Sequence, residues 1–150
     1  MLYVTSAFSL SMIPSEGAVI KVRPTSPEDA RKLLVTQRWE SAVGHEATAK
    51  ILSEILGVTV PAQRKAIKLQ IGDAVLVFQL LQRLPEGKIL NEEELREVVE
   101  SGNWRLFLVE VQSAAGQVKC HHCGYEWEYT GMLRLATCPS CGRKVKVREV

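Results

Sequence analysis

The residues of this chain best suited to chemistry are four cysteines. Cys120-His121-His122-Cys123-Gly124 and Cys138-Pro139-Ser140-Cys141-Gly142 are two CxxC turns separated by 14 residues, just under the range of about 15–20 usual for this pattern. One CxxC turn presents two thiolates to an ion, and two turns complete a tetrahedral zinc site. The glycine after each pair permits the left-handed backbone that turns amides toward sulfur. Four protein ligands leave no open position, so the site is expected to be structural. Iron in a rubredoxin-like site is the alternative that ligand identity leaves open. His121 and His122 are expected to be solvated bystanders. Paired spacing favours metal over disulfides, and with it a reducing, cytoplasmic setting.

The remaining residues of chemical interest lie before the cysteines. His45 stands where a helix should begin, and free amides at a helix start suit a phosphate. An imidazole there is a candidate proton donor for a leaving oxygen. Arg83 follows an apolar run and opens Arg83-Leu84-Pro85-Glu86-Gly87-Lys88, a tight loop that would hold a guanidinium at a sheet rim. Ser6, Ser9 and Ser11 alternate at the end of the first expected strand, and Arg64 precedes another. Taken singly, each has an ordinary reading: a solvated histidine, a rim ion pair between Arg83 and Glu86, a polar strand end, a surface charge. There is no P-loop, GxGxxG, HExxH or GxSxG in residues 1–115.

The elements that must position these groups can be read from pattern. Leu2 to Phe8 and Ala18 to Arg23 read as strands. Ser26-Pro27-Glu28-Asp29 is a helix start, with a capping hydroxyl, Pro at the first position and acids at the positive dipole end, and the helix should run to about Val35. A second helix opens at Val43-Gly44-His45-Glu46, puts Ala47, Ile51, Leu52, Ile55 and Leu56 on one face, and stops at Gly57. Ala66 to Ile71 alternates as a half-buried strand. Gly72-Asp73 turns the chain into Ala74 to Leu81, apolar enough for a central strand. Asn91 with Glu94 starts a helix ending before Gly102, and Trp104 to Val111 closes the body as a strand. The order β-β-α-α-β-β-α-β implies an α/β (α+β) body, a mixed sheet flanked by helices.

Residues 1–112 are expected to form this body, 113–117 (Ser-Ala-Ala-Gly-Gln) a linker, and 118–150 a zinc ribbon. In the ribbon, Tyr125, Trp127 and Tyr129 alternate with acids to give an aromatic face over the metal. Val145 and Val147 alternate with Lys144, Lys146 and Arg148 in a last strand. So short a module buries little, and metal must supply most of its folding free energy. The whole chain is 46% hydrophobic and 24% charged, a globular composition, and no apolar run reaches the ~18 residues of a bilayer span. Residues 1–115 carry 13 Lys and Arg against 14 Asp and Glu, whereas residues 116–150 carry 6 against 3. A body without a basic stripe is not a general polyanion binder.

Three stretches carry a resemblance: Ala7-Phe8-Ser9, Ser41-Ala42-Val43-Gly44-His45-Glu46-Ala47-Thr48, and Gln82-Arg83-Leu84-Pro85-Glu86-Gly87-Lys88-Ile89-Leu90. In this order and spacing the chain resembles the viral type III anti-CRISPR ring nuclease family over roughly residues 1 to 112, the ribbon excluded. The resemblance implies a homodimer that cleaves cyclic tetra-adenylate, the second messenger of type III CRISPR defence, as an anti-CRISPR or signal-resetting enzyme. It implies metal-independent phosphodiester cleavage, in which a ribose 2′-hydroxyl attacks phosphorus and leaves a 2′,3′-cyclic phosphate. It assigns His45 as general acid and contacts to the ring from Ser9, Arg64, Arg83 and Glu86; the Arg83 guanidinium also suits a bidentate phosphate contact and charge stabilisation. Ser6 and Ser11 stand where many members have Asn, so a different affinity or ring-size preference is expected. The competing classes are a sponge that binds the cyclic nucleotide without cutting it, and a regulator whose ribbon takes a nucleic acid or protein partner.

Overall fold

Ala74-Val75-Leu76-Val77-Phe78 is apolar at every position, which suits a strand covered on both faces. In the computed structural model this run is β4 (Ala74–Leu80), the middle of a five-stranded sheet. The structure describes residues 1–84, 87–114, 116–129 and 133–147. Around β4 lie β1 (Leu2–Thr5), β2 (Ala18–Thr25), β3 (Trp39–Ser41) and β5 (Trp104–Ala114), in the order β2-β5-β4-β1-β3. β1 pairs parallel with β3 and β4, and β5 pairs antiparallel with β4 and β2. The fold is therefore α+β with a mixed sheet and few helices.

Three helices cover one face. α1 (Pro27–Thr36) starts at Ser26, whose hydroxyl accepts the Asp29 amide at 3.1 Å. α2 (Glu46–Leu56) ends at Gly57, left-handed at φ 66°. α3 (Glu92–Glu100) starts at Asn91, whose side chain accepts the Glu94 amide at 2.9 Å. Ala30, Leu34, Ile51, Leu52 and Leu95 from these helices bury Leu2, Val4, Leu76, Phe78, Leu106 and Leu108 of the sheet. An ionic clip joins α2 to α3: Arg96 donates to both oxygens of Glu54 at 2.7 Å and to Glu92 at 3.1 Å, and Lys50 pairs with Glu92 at 2.9 Å.

The opposite face, with Val75, Val77, Val109 and Val111, is covered by irregular chain carrying Ile67 and Leu69, with Phe8 and Met12 alongside. Here the structure corrects the sequence reading. Residues 66–71 alternate in burial, with Ile67 and Leu69 inside, but they form no strand. Their period of two comes from extended chain lying on a sheet face, held by the Leu69 amide on the Met12 carbonyl at 2.8 Å. The missing strand is the short β3, which the pattern did not show.

β1 also stops sooner than expected. The Thr5 hydroxyl accepts the Ala7 amide at 3.2 Å, a local turn that ends the ladder. Leu10–Met12 then forms one 3-10 turn. Beyond β5 the chain makes two small hairpins, β6 (Gln117–Lys119) with β7 (Glu126–Glu128) and β8 (Leu135–Thr137) with β9 (Lys144–Lys146). Ala115 of the expected linker and Arg148 of the expected last strand lie outside the described residues. No helix among the described residues is long and apolar enough to cross a membrane.

Candidate functional site

His45 is the N-cap of α2 in extended backbone, φ −124° and ψ 131°, and its side chain makes no capping hydrogen bond. The imidazole is half-buried and lines a cleft of about 230 Å³. Three parts of the sheet edge and its loops meet there. Ser6 and Ala7 come from the end of β1, Phe78 and Leu80 from the end of β4, and Leu84 and Lys88–Leu90 from the chain that leads to α3. The early end of β1 at Thr5 leaves Ser6 in this cleft rather than in a ladder. Thr48, one helical turn after His45, lines it as well. The walls are mainly apolar, with His45, Ser6, Thr48 and Lys88 as the polar groups.

A buried serine sets the neighbour of His45. Ser41, at the end of β3, is 2% exposed. Its hydroxyl donates to the Pro61 carbonyl at 2.6 Å and accepts the Val43 amide at 3.3 Å. The Gln63 amide donates to the Val43 carbonyl at 2.7 Å, so residues 61–63 run beside 41–43. Lys65 is ion-paired with Glu40 of β3. These ties carry the Arg64 side chain over Gly44: a Cβ at Gly44 would lie 3.7 Å from Arg64 Nε. Arg64 therefore sits beside the residue that precedes His45.

The other expected site residues are placed differently. Ser9 and Ser11 do not alternate on a strand; they cap and occupy the 3-10 turn, with their hydroxyls 2.9 Å apart. Ser11 borders a separate open hollow of about 710 Å³, with Lys68 and Leu69, and its carbonyl accepts the Lys68 ammonium at 2.7 Å. Arg83 is exposed just before Leu84 and does not line the cleft. Glu86 lies outside the described residues. The structure thus brings Ser6 and His45 together with Arg64 adjacent. Lys88, Thr48 and Ser41 were not singled out from sequence. The i, i+3 relation of His45 and Thr48 was a signal for one of them; Ser41 carried none, because nothing local marks a serine as buried.

The second centre holds the cysteines. Cys120 and Cys138 are buried, Cys123 and Cys141 exposed, and all four are free thiols. Their sulfurs lie within 4.8 Å of one another, with Cys120 to Cys141 and Cys123 to Cys138 both at 3.7 Å. A zinc tetrahedron with Zn–S of about 2.3 Å has its sulfurs about 3.8 Å apart, whereas a disulfide needs about 2.05 Å. The geometry fits one zinc held by the four thiolates.

The two knuckles are built alike. Gly124 and Gly142, at φ 76° and 73°, donate to the Cys120 and Cys138 carbonyls at 2.8 and 3.0 Å. The Cys120 and Cys138 amides donate to the Tyr125 and Arg143 carbonyls, both at 2.8 Å. Val145 is buried against Cys120 and Cys138, with Val118 and Trp127 packed beside them. Of the expected aromatic face, Trp127 covers the site, while Tyr125 is 46% exposed.

In the metal-free chain these thiols differ. Desolvation opposes ionisation of Cys120, but the Cys123 and His122 amides together with the Cys123 and Cys141 sulfurs outweigh it and bring the thiol down to about 7. The Arg143 amide favours the Cys141 thiolate, yet desolvation and the other three sulfurs push it up to about 11. Metal binding must therefore displace protons. His121 and His122 are both exposed.

Comparison with known proteins adds the lineage. Residues 2–102 match the STIV B116-like family pattern. The chain is similar to uncharacterized protein 26 of Sulfolobus islandicus filamentous virus, 38% identical over 120 residues, which is 79% of this chain and 98% of that protein. It is 35% identical over 86 residues to ORF117 of Acidianus two-tailed virus, covering 56% of this chain and 74% of that one. Among solved structures, B116 of Sulfolobus turreted icosahedral virus superimposes with a TM-score of 0.58 at 26% identity, covering 73% of this chain and 97% of B116. The four cysteines fall beyond residue 102, where the family pattern ends.

Proposed function

The chain belongs to the STIV B116-like family, and from that premise we propose that it is a ring nuclease that cleaves cyclic tetra-adenylate without a catalytic metal. The observation that carries the reading is His45: an imidazole free of capping duty, at a helix start and in a cleft, with Arg64 over the preceding Gly44. RNA supplies its own nucleophile, so the protein has three tasks. It must orient the 2′-hydroxyl in line with phosphorus, stabilise the phosphorane and protonate the departing 5′-oxygen.

Protonated His45 gives its proton to the 5′-oxygen as the P–O5′ bond breaks. The 2′-hydroxyl loses its proton to solvent as its oxygen bonds to phosphorus, and the product is a 2′,3′-cyclic phosphate with a free 5′-hydroxyl. The leading amides of α2 and the Arg64 guanidinium suit the phosphate oxygens. The family resemblance gives Arg83 and Glu86 contacts to the ring, and Arg83 stands just before Leu84 of the cleft. The apolar wall of Phe78, Leu80 and Leu84 suits a purine. Two copies related by a two-fold axis match a symmetric ring with two equivalent scissile phosphates, so the enzyme works as a homodimer. Cys120, Cys123, Cys138 and Cys141 would hold a zinc ion that stabilises the ribbon, away from the cleavage chemistry.

The test is incubation of the protein with labelled cyclic tetra-adenylate in EDTA, with His45→Ala alongside. Ring opening by the wild type alone supports the reading. Tight binding with no opening by either protein turns it into a sponge.

A further inference from the structure

The second half of the ribbon carries a charge pattern found nowhere else in the chain. Residues 133–147 hold four cations, Arg134, Arg143, Lys144 and Lys146, and no Asp or Glu. All four are exposed, and among the described residues none of them forms an ion pair. The first hairpin is different: Lys119 on β6 is paired with Glu126 on β7 at 3.4 Å. Lys144 and Lys146 flank buried Val145 and so share the outer face of β9, opposite Thr137 and Leu135 of β8.

The residue before β9 meets an exposed ring. Arg143 Nη1 donates to His122 Nδ1 at 3.4 Å, which joins the second knuckle to the first. There the His121 and His122 rings lie 4.0 Å apart between centroids. Tyr125, half exposed, lies nearly parallel to Trp127 with centroids 6.4 Å apart.

We propose that the ribbon is a binding surface for single-stranded nucleic acid, separate from the ring cleft. Cations gathered on one short hairpin without acids repel one another, and a row of phosphates relieves that repulsion. Exposed rings beside the cations add what a single strand can use and a duplex cannot, because only unpaired bases offer their faces for stacking. An acidic protein would match the charge but would leave the rings without a role. Strands of three residues are about 10 Å long, so the face reaches only a few phosphates. The binding is therefore weak, tolerant of sequence and dependent on salt.

The experiment uses the zinc-loaded full chain and fluorescence anisotropy of labelled RNA and DNA strands about a dozen nucleotides long, with a matched duplex, across a salt series. Three to four phosphate contacts on a single strand predict a slope of log K against log salt of about −2 to −3. Lys144→Glu with Lys146→Glu should weaken binding at least tenfold and flatten that slope by about 1.4, with zinc content and ring cleavage unchanged. Tyr125→Ala should weaken binding without changing the slope. If charge reversal lowers zinc content, Lys144→Gln with Lys146→Gln gives the same reading. Equal affinity for RNA and DNA assigns the contact to phosphate and ring faces; an RNA preference adds the 2′-hydroxyl. Three results overturn the proposal: no salt-dependent binding, unchanged binding by the lysine variants, or stronger binding of the duplex. Displacement by polyglutamate as readily as by an unlabelled strand also overturns it, in favour of an acidic protein partner.

Discussion

Arg64 lies across Gly44, with its Nε 3.7 Å from where a Cβ at Gly44 would be. The small residue leaves room for the Arg64 side chain at the start of α2. One added methyl meets Arg64 at ordinary contact distance, and a branched chain does not fit without moving it. Gly44→Ala should therefore bind cyclic tetra-adenylate like wild type. Gly44→Leu should lose affinity on the order of tenfold, as Arg64→Ala does, because each forfeits a charge-assisted contact to phosphate. Isothermal titration of the four proteins, the ring kept intact by His45→Ala in each, makes the comparison.

Ser41 is the fold's support for that arrangement. Replacing it with Ala strips a hydrogen-bond partner from the Pro61 carbonyl and the Val43 amide. A buried polar group left unsatisfied costs about 1–3 kcal/mol, so Ser41→Ala should lower stability by about that much in a urea titration. Affinity for the ring should fall with it, since residues 61–64 lose their anchor.

The ribbon should hold one zinc per chain, and its apparent affinity should rise with pH. Protons compete with metal for thiolates, and a thiol such as Cys141, pushed up to about 11, keeps its proton at neutral pH until metal displaces it. Competition with a chromophoric chelator between about pH 6 and 8 should show tighter binding at the higher pH. Cys138→Ser should release the metal and unfold residues 118–147, while the body keeps its cooperative unfolding transition.

The clip between α2 and α3 predicts an acid response. Arg96, with a smaller pull from Lys50, holds the Glu54 carboxyl below its ordinary value; Lys50 and then Arg96 do the same for Glu92. Folded-state values below the unfolded ones mean that the stabilisation is present at neutral pH and is lost as pH falls through the lowered values. These groups are at the surface, so the effect is small and screened by salt. Arg96→Met should lower the thermal midpoint at pH 7 and low salt, and the difference from wild type should fade as pH drops through those lowered values, or in molar salt.

How far the sequence could be read follows from these same residues. α2 was legible because Gly57 and the apolar face from Ala47 to Leu56 agree, and α3 because Asn91 and Glu94 cap it. The cysteine centre was legible because ligand spacing alone specifies it. β3 was not, since Trp39-Glu40-Ser41 is too short to show a period and is defined by its partner β1. Residues 66–71 misled for a related reason: burial on a sheet face produces the same alternation as a ladder. Ser6, Ser9 and Ser11 looked equivalent until the Thr5 hydroxyl turned the chain, leaving Ser6 in the cleft and Ser11 at another hollow. Arg64 comes to lie over Gly44 through Ser41 and the 61–63 backbone, an approach between segments that no local pattern encodes.

The most direct measurement is single-turnover cleavage of labelled cyclic tetra-adenylate in excess EDTA, with binding measured in parallel for wild type and His45→Ala. A positioned general acid contributes on the order of 10²- to 10⁴-fold, so the variant should bind the ring as wild type does and cleave it slower by that factor, with a 2′,3′-cyclic phosphate as the wild-type product. An intact ring with wild type, or equal rates for the two proteins, would contradict the account and leave the His45 cleft a binding site.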